Sequence, residues 1–133
     1  MDHDDIASLE HLSDQFLQHA RHPQNMKTVA NPHGLAMGKG SCGDAVEISL
    51  ALEGETIVDI GHQPYGCAYT VACASAVTVL AKGKTVEEAL ALQPEDVEQM
   101  LGGLPEDHFH CARLAVNTLG EAIAEAYRYQ NSA

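Results

Sequence analysis

Apolar positions along this chain follow two periods. Ile6, Leu9, Leu12, Phe16, Leu17 and Ala20 recur at helical spacing, predicting an amphipathic N-terminal helix that stops before Pro23. From Pro23 to Ser41 the chain is rich in Gly, Pro and Asn ("NPHG", "MGKGS"), which predicts a long loop carrying one short strand. Long loops within compact domains often carry function. Val46, Ile48, Leu50 and Leu52 then alternate with smaller or polar residues, the pattern of a half-buried strand. "EGE" supplies a turn, and Thr56 to His62 returns as the antiparallel partner.

After "PYG" the period changes. "CAYTVACASAVTVLAKG" predicts a helix of small residues closed by Gly83, and Thr85 and Glu88 stand at capping-box spacing for a short helix after it. Pro94 suits the first turn of a third, "PEDVEQMLGG". The last helix carries Cys111, Leu114, Ala115, Thr118, Leu119, Ala122, Ile123, Ala126 and Tyr127 in one unbroken stripe, which turns Cys111 toward the rest of the fold. The expected architecture is one α+β domain over residues 1–133, with a small antiparallel sheet of about three strands packed against helices and a long C-terminal helix.

At 133 residues with 45% hydrophobic content, the chain can bury a core without staples, and intrinsic disorder is not expected. Nineteen Asp and Glu against seven Lys and Arg give a net charge of −12, which would repel nucleic acid and anionic membrane surfaces. "MDHDDIASLE" offers no apolar leader core, and no apolar run is long enough to span a bilayer, so a cytoplasmic location is expected. In a reducing compartment, four cysteines read as thiols or metal ligands rather than disulfides.

Three of those cysteines fall at element boundaries. Cys42 in "SCGD" lies where a loop enters a strand, Cys67 in "PYGC" where a strand gives way to a helix, and Cys111 at the start of the last helix. Helix N-termini favour thiolate, the form that binds zinc or iron. A single such cysteine is more often a small buried hydrophobe. Three of them, with Asp44 two residues after Cys42 and His110 beside Cys111, can supply sulfur, oxygen and nitrogen donors. Their long separations mean that any shared site must be assembled by the fold. Cys73 sits mid-helix among Ala72, Ala76, Val77 and Leu80 and reads as core. His3, His11, His19, His22, His33 and His62 lie in polar or loop contexts and read as solvated. His108 reads as a surface residue or a partner for His110. The acidic run "EEALALQPEDVE" reads as a solvated helix face.

The ordered motifs "SCGD", "PYGC" and "HC" strongly resemble the iron–sulfur cluster assembly scaffold family, of the IscU type and the N-terminal domain of NifU. "HARHPQNM" is similar to that family's His/Tyr-x-x-x-Pro-x-Asn segment and "KGKTVEEAL" to its Lys-Gly-Lys stretch, so the likeness spans Leu12 to Tyr129. The resemblance implies that Cys42, Cys67 and Cys111 hold a nascent [2Fe–2S] cluster or a zinc ion, with Asp44 and His110 at the positions that supply or exchange the fourth ligand. It implies a protein that accepts and donates a cofactor rather than an enzyme. Its partners would be a cysteine desulfurase and apo iron–sulfur acceptor proteins. Many bacterial members carry Leu-Pro-Pro-Val-Lys before His-Cys, a segment read by a dedicated Hsp70. Here the place reads "LPEDHFHC", with His108 instead of the Lys, which puts the Hsp70/Hsp40-type partnership in doubt. The insertion between the second and third cysteines found in the zinc-dependent SufU type is missing, which favours the IscU-like reading.

Two other readings use the same residues. The ligands suit tetrahedral zinc equally well, as in a structural or sulfur-relay protein. Cys111 as nucleophile with His110 as base would make a thiol enzyme, but neighbours on a helix point about 100° apart.

Overall fold

The computed structural model describes residues 12–131. Ile6 and Leu9 of the expected N-terminal stripe, with His3 and His11, lie outside the described residues. Helix α1 (Asp14–Arg21) is capped by Ser13, whose hydroxyl accepts from Phe16 N–H at 3.0 Å and donates to the Leu101 carbonyl. The Ser13 hydroxyl thereby ties the start of α1 to the end of a later helix.

A three-stranded antiparallel sheet follows in the order β1-β2-β3: β1 (Gly34–Lys39), β2 (Ala45–Glu53) and β3 (Thr56–Tyr65). Val46, Ile48, Leu50 and Leu52 face inward, as their alternation predicts, opposite Ile60 and Ile57. Gly54, at φ 63°, makes the tight turn between β2 and β3. The strand expected to end at His62 runs on to Tyr65, with Pro64 paired to Val46. His62 N–H points outward to the Asn25 carbonyl, and Pro64, two residues on, shares that side. Its missing N–H therefore costs no bond between strands.

Helix α2 (Ala68–Ala81) is buried nearly all round, which its small residues allow: Ala72, Cys73, Ala74, Ser75, Ala76 and Val77 are all inaccessible. Gly83, at φ 83°, closes the connection, and α3 (Val86–Leu90) opens with the Thr85–Glu88 capping box. Helix α4 (Pro94–Met100) leads through a single 3-10 turn, Glu106–His108, into α5 (Phe109–Asn131). The stripe from Cys111 to Ala126 is buried against the sheet. That approach requires glycine on β1. A Cβ at Gly34 would lie 2.1 Å from the Ala122 carbonyl oxygen, and one at Gly38 would lie 2.0 Å from Thr118 Oγ1. Glu87, Glu88 and Glu95 are exposed, in keeping with the solvated acidic run.

Three histidines depart from their expected solvation. His62 is fully buried because strand register puts it on the inner face opposite Ile48, and its Nε2 meets the Gln24 carbonyl at 2.9 Å. His19 is half-buried with Nδ1 2.7 Å from Ser75 Oγ. His33 is half-buried, and its Nδ1 accepts from Leu52 N–H at 2.9 Å. His22 is exposed, as expected. The "HARHPQN" segment is thus a clasp. Gln24 N–H donates to Ser75 Oγ, the Asn25 amide donates to Thr78 Oγ1, and Asn25 adopts φ 58°.

Burial holds the His62 and His19 imidazoles below their ordinary pKa, so folding favours their neutral forms. The unfolded chain then binds more protons. The stabilisation is complete above the unfolded value of about 6.5 and is lost as pH falls below it. The metal-free protein should melt at a lower temperature at pH 5.5 than at pH 7.5. His62→Gln, which keeps a donor for Gln24 without a titrating ring, should flatten that slope. Calorimetry in chelator checks this, and a slope unchanged by His62→Gln would contradict it.

Candidate metal centre

Lys39 is the last residue of β1 and Ala45 the first of β2, so "GSCGD" is the turn between them. Gly40 N–H donates to the Asp44 carbonyl at 2.8 Å, and Gly43 takes φ 89°. The turn leaves Cys42 exposed at its tip and points the Asp44 side chain inward, 6% exposed. A Cβ at Gly40 would lie 2.1 Å from Asp44 Oδ1, so glycine there leaves room for the carboxylate. Cys67 is the N-cap of α2 and is exposed; Cys111 is in the first turn of α5 and 2% exposed.

The fold brings these distant segments together. Cys42 Sγ lies 3.1 Å from His110 Nε2 and donates to Asp44 Oδ1 at 3.1 Å. Cys111 Sγ is 3.6 Å from the same His110 nitrogen and 4.0 Å from Asp44 Oδ2. Among the described residues, the donor atoms of Cys42, Asp44 and His110 all lie within 4.8 Å of one another. Donors about 2.0–2.3 Å from a tetrahedral ion lie about 3.3–3.8 Å apart, so this spacing suits one ion. His110 and Cys111 converge although neighbours on a helix diverge, because the His110 ring reaches back over both sulfurs.

The thiols are unequal. The Cys111 thiol and the backbone N–H groups of Tyr69 and Thr70, on the first turn of α2, favour the charged form of Cys67. These hold Cys67 down at about 5, a thiolate at neutral pH. Cys111 is correspondingly pushed up by its nearness to Cys67 and by burial. Cys42 is raised because its proton is held by the Asp44 carboxylate. Cys73 is fully buried and pushed up by desolvation, as a core thiol should be.

Sequence reasoning missed Thr70. Buried one turn into α2, its hydroxyl donates to Asp44 Oδ2 at 3.4 Å and lies 3.8 Å from Cys67 Sγ and 4.0 Å from Cys111 Sγ. The available signal was its place three residues after an N-cap cysteine, on the first turn. His108 is half-buried instead of on the surface. Its ring stacks on Tyr69 at 3.6 Å and 5°, and its centroid is 6.2 Å from the His110 ring. Tyr69 in turn packs on Phe16 at 5.2 Å.

A family profile described as NifU-like N terminal domain matches residues 11–133. The iron–sulfur cluster assembly scaffold protein IscU 1 of Archaeoglobus fulgidus is 38% identical over 117 residues, covering 87% of this chain and 76% of its own. That of Aquifex aeolicus, IscU, is 32% identical over 116 residues, covering 85% and 74%. Among solved structures, a candidate scaffold protein for the SUF system of Fervidobacterium islandicum AW-1 superposes with a TM-score of 0.67. It is 25% identical, with 87% of this chain and 98% of that one covered.

Proposed function

The chain belongs to the NifU-like N-terminal domain family, and from that membership we propose that it is a scaffold on which an iron–sulfur cluster is built and then handed to acceptor proteins. The observation that carries the reading is the convergence of Cys42, Asp44 and His110 on one spot with Cys111 beside them, and Cys67 joined to that group through the Thr70 hydroxyl. Cys42, Cys67 and Cys111 are the proposed sulfur ligands of a [2Fe–2S] cargo. Asp44 and His110 compete for the remaining corner.

Their arrangement suits temporary custody. The Cys67 thiolate is exposed and charged before any metal arrives, so it makes the first bond. Cys42 on the exposed turn and Cys111 beneath it surrender protons as they bind, so loading is coupled to proton release. A hard oxygen or a single nitrogen holds its corner less firmly than a fourth thiolate would. Thr70 steadies the Asp44 carboxylate and spans the two sulfurs beside it.

A cysteine desulfurase is the proposed sulfur source and apo iron–sulfur proteins the recipients. Glu106 and Asp107 are exposed on the 3-10 turn, and His108 is committed to its stack on Tyr69. This segment therefore offers carboxylates, which are costly to desolvate, to any Hsp70 groove suited to an apolar stretch and a Lys. Delivery without that chaperone pair is the proposed route. Among the described residues no helix is long and apolar enough to cross a membrane, and we place the protein in the cytoplasm.

Anaerobic exposure of the metal-free protein to iron, cysteine and a desulfurase tests assembly: this reading expects a coloured species with iron and sulfide in equal amounts. Zinc binding with no cluster would favour the zinc-only reading, which the same donors satisfy. Asp44→Ala should lengthen the life of an assembled cluster and slow its transfer, on the order of tenfold if Asp44 acts as an ordinary tuning ligand. Transfer at the parent rate would remove Asp44 from the mechanism.

A further inference from the structure

A cleft of about 260 Å³ runs from the proposed metal corner along α5. One wall is Gly38, Lys39, Gly40 and Ser41, at the end of β1 and in its turn. The other is the α5 stripe His110, Arg113, Asn117 and Glu121, residues that recur on one helix face. The volume equals about eight or nine waters. His110 closes the end at which its Nε2 meets Cys42 Sγ at 3.1 Å.

The cleft holds two of the chain's few cations. Only seven residues are Lys or Arg against 19 Asp and Glu, yet two of them, Lys39 and Arg113, line it. Among the described residues Lys27 and Arg128 are paired with Asp59 and Glu125, while Lys39 and Arg113, like Arg21, Lys82 and Lys84, form no ion pair and so keep their charge for a ligand. The Arg113 guanidinium is held 4.9 Å over the Phe109 ring, which fixes it without spending its hydrogen-bond donors. Two free cations at the mouth of a cleft, one helical turn from an imidazole and a thiol, fit a ligand with a carboxylate at one end and sulfur at the other. Side chains at i and i+3 on a helix stand about 5–6 Å apart, a span that a small mercaptocarboxylate covers. Glu121, about 16 Å along the axis from His110, lies beyond the reach of such a ligand.

We propose that this cleft binds a small thiol carrying a carboxylate, of the cysteine or mercaptopropionate class, with the carboxylate between Lys39 and Arg113 and the sulfur at the corner shared by Cys42 and His110. The inference rests on the reading of that corner as metal-binding. Once cargo is present, the bound thiol replaces the His110 nitrogen. Its sulfur bonds to the metal as the nitrogen leaves, and its proton passes to the freed imidazole. No oxidation state changes. The scaffold would thereby present its cargo with an external ligand at the exchangeable corner.

The test titrates the full chain, oxygen-free, with 3-mercaptopropionate, propionate and cysteamine, following the amide signals of Gly38, Gly40 and Asn117. In metal-free protein both carboxylates should move these signals and cysteamine should not. In zinc-loaded protein mercaptopropionate should bind at least about fivefold more tightly than propionate, because its sulfur reaches the ion. Lys39→Gln with Arg113→Gln should weaken it by about tenfold, as loss of charge-assisted hydrogen bonds implies, and should leave zinc affinity unchanged. Equal binding of cysteamine, indifference to the double substitution, or no advantage of the thiol over propionate on zinc-loaded protein would each overturn the proposal. Failure of the parent to hold zinc would instead sink the metal-corner reading beneath it, so the two failures are distinguishable.

Discussion

Serine in place of Cys42, Cys67 or Cys111 is expected to reduce cluster assembly to background, while Cys73→Ser leaves assembly per folded molecule nearly intact. A hydroxyl stays protonated where a thiol ionises and is a poor ligand for soft metals. Each of the three cysteines comes from a different element boundary, so no neighbouring thiol can replace it without moving backbone. Cys73 is the informative control. It lies near enough to Cys67 and Asp44 for their charges to raise its proton affinity, but it is enclosed in α2 with no exposed surface. Burying a serine hydroxyl there has its own cost, about 1–3 kcal/mol if unsatisfied, so Cys73→Ala belongs in the same panel. The measurement is sulfide and iron bound per folded protein after anaerobic reconstitution. A requirement for Cys73, or indifference to Cys42, would mean that the cargo sits elsewhere.

Phe16→Ala should be the most destabilising truncation at the front of the fold, at about 3–5 kcal/mol. Phe16 is the buried residue of α1, fully inaccessible, and its ring meets Tyr69 on the first turn of α2. With total stabilities of about 5–15 kcal/mol for proteins of this kind, the loss removes a large share. It should also loosen the clasp of residues 19–25 on α2 and the Tyr69–His108 stack, which stands next to His110. Denaturant unfolding of the metal-free protein measures the effect. A change below about 1 kcal/mol would show that α1 is not part of the same cooperative unit.

Local signals in the sequence are legible because local rules govern them. The alternation from Val46 to Leu52 gives β2, the Thr85–Glu88 pair caps α3, Gly83 ends the connection after α2, and the stripe from Cys111 to Ala126 packs on the sheet. What the sequence hid depends on register and tertiary approach. His62 is buried because strand pairing places it opposite Ile48, a fact that lies in no window around residue 62. Gly34, Gly38 and Gly40 look like loop glycines, yet each marks where another group, from α5 or from Asp44, comes too close for a side chain. At the site, the cysteines, Asp44 and His110 announced themselves by residue type and position. Thr70 did not, since a threonine on a small-residue helix carries no mark until Asp44 and two sulfurs are brought around it. Nor could sequence say which thiol is ionised, because that follows from the nearness of Cys111 to Cys67 and the Asp44 hold on Cys42.

The central claim is that this protein holds a cluster in order to give it away, and transfer tests it most directly. The reconstituted scaffold is mixed with an apo acceptor of the [2Fe–2S] class in the presence of a strong iron chelator, and the acceptor's own circular dichroism is followed. The account predicts that the acceptor gains an intact cluster at the rate the scaffold loses one, with little iron captured by the chelator. Loss of the scaffold's cluster into the chelator, with the acceptor left empty, would contradict it.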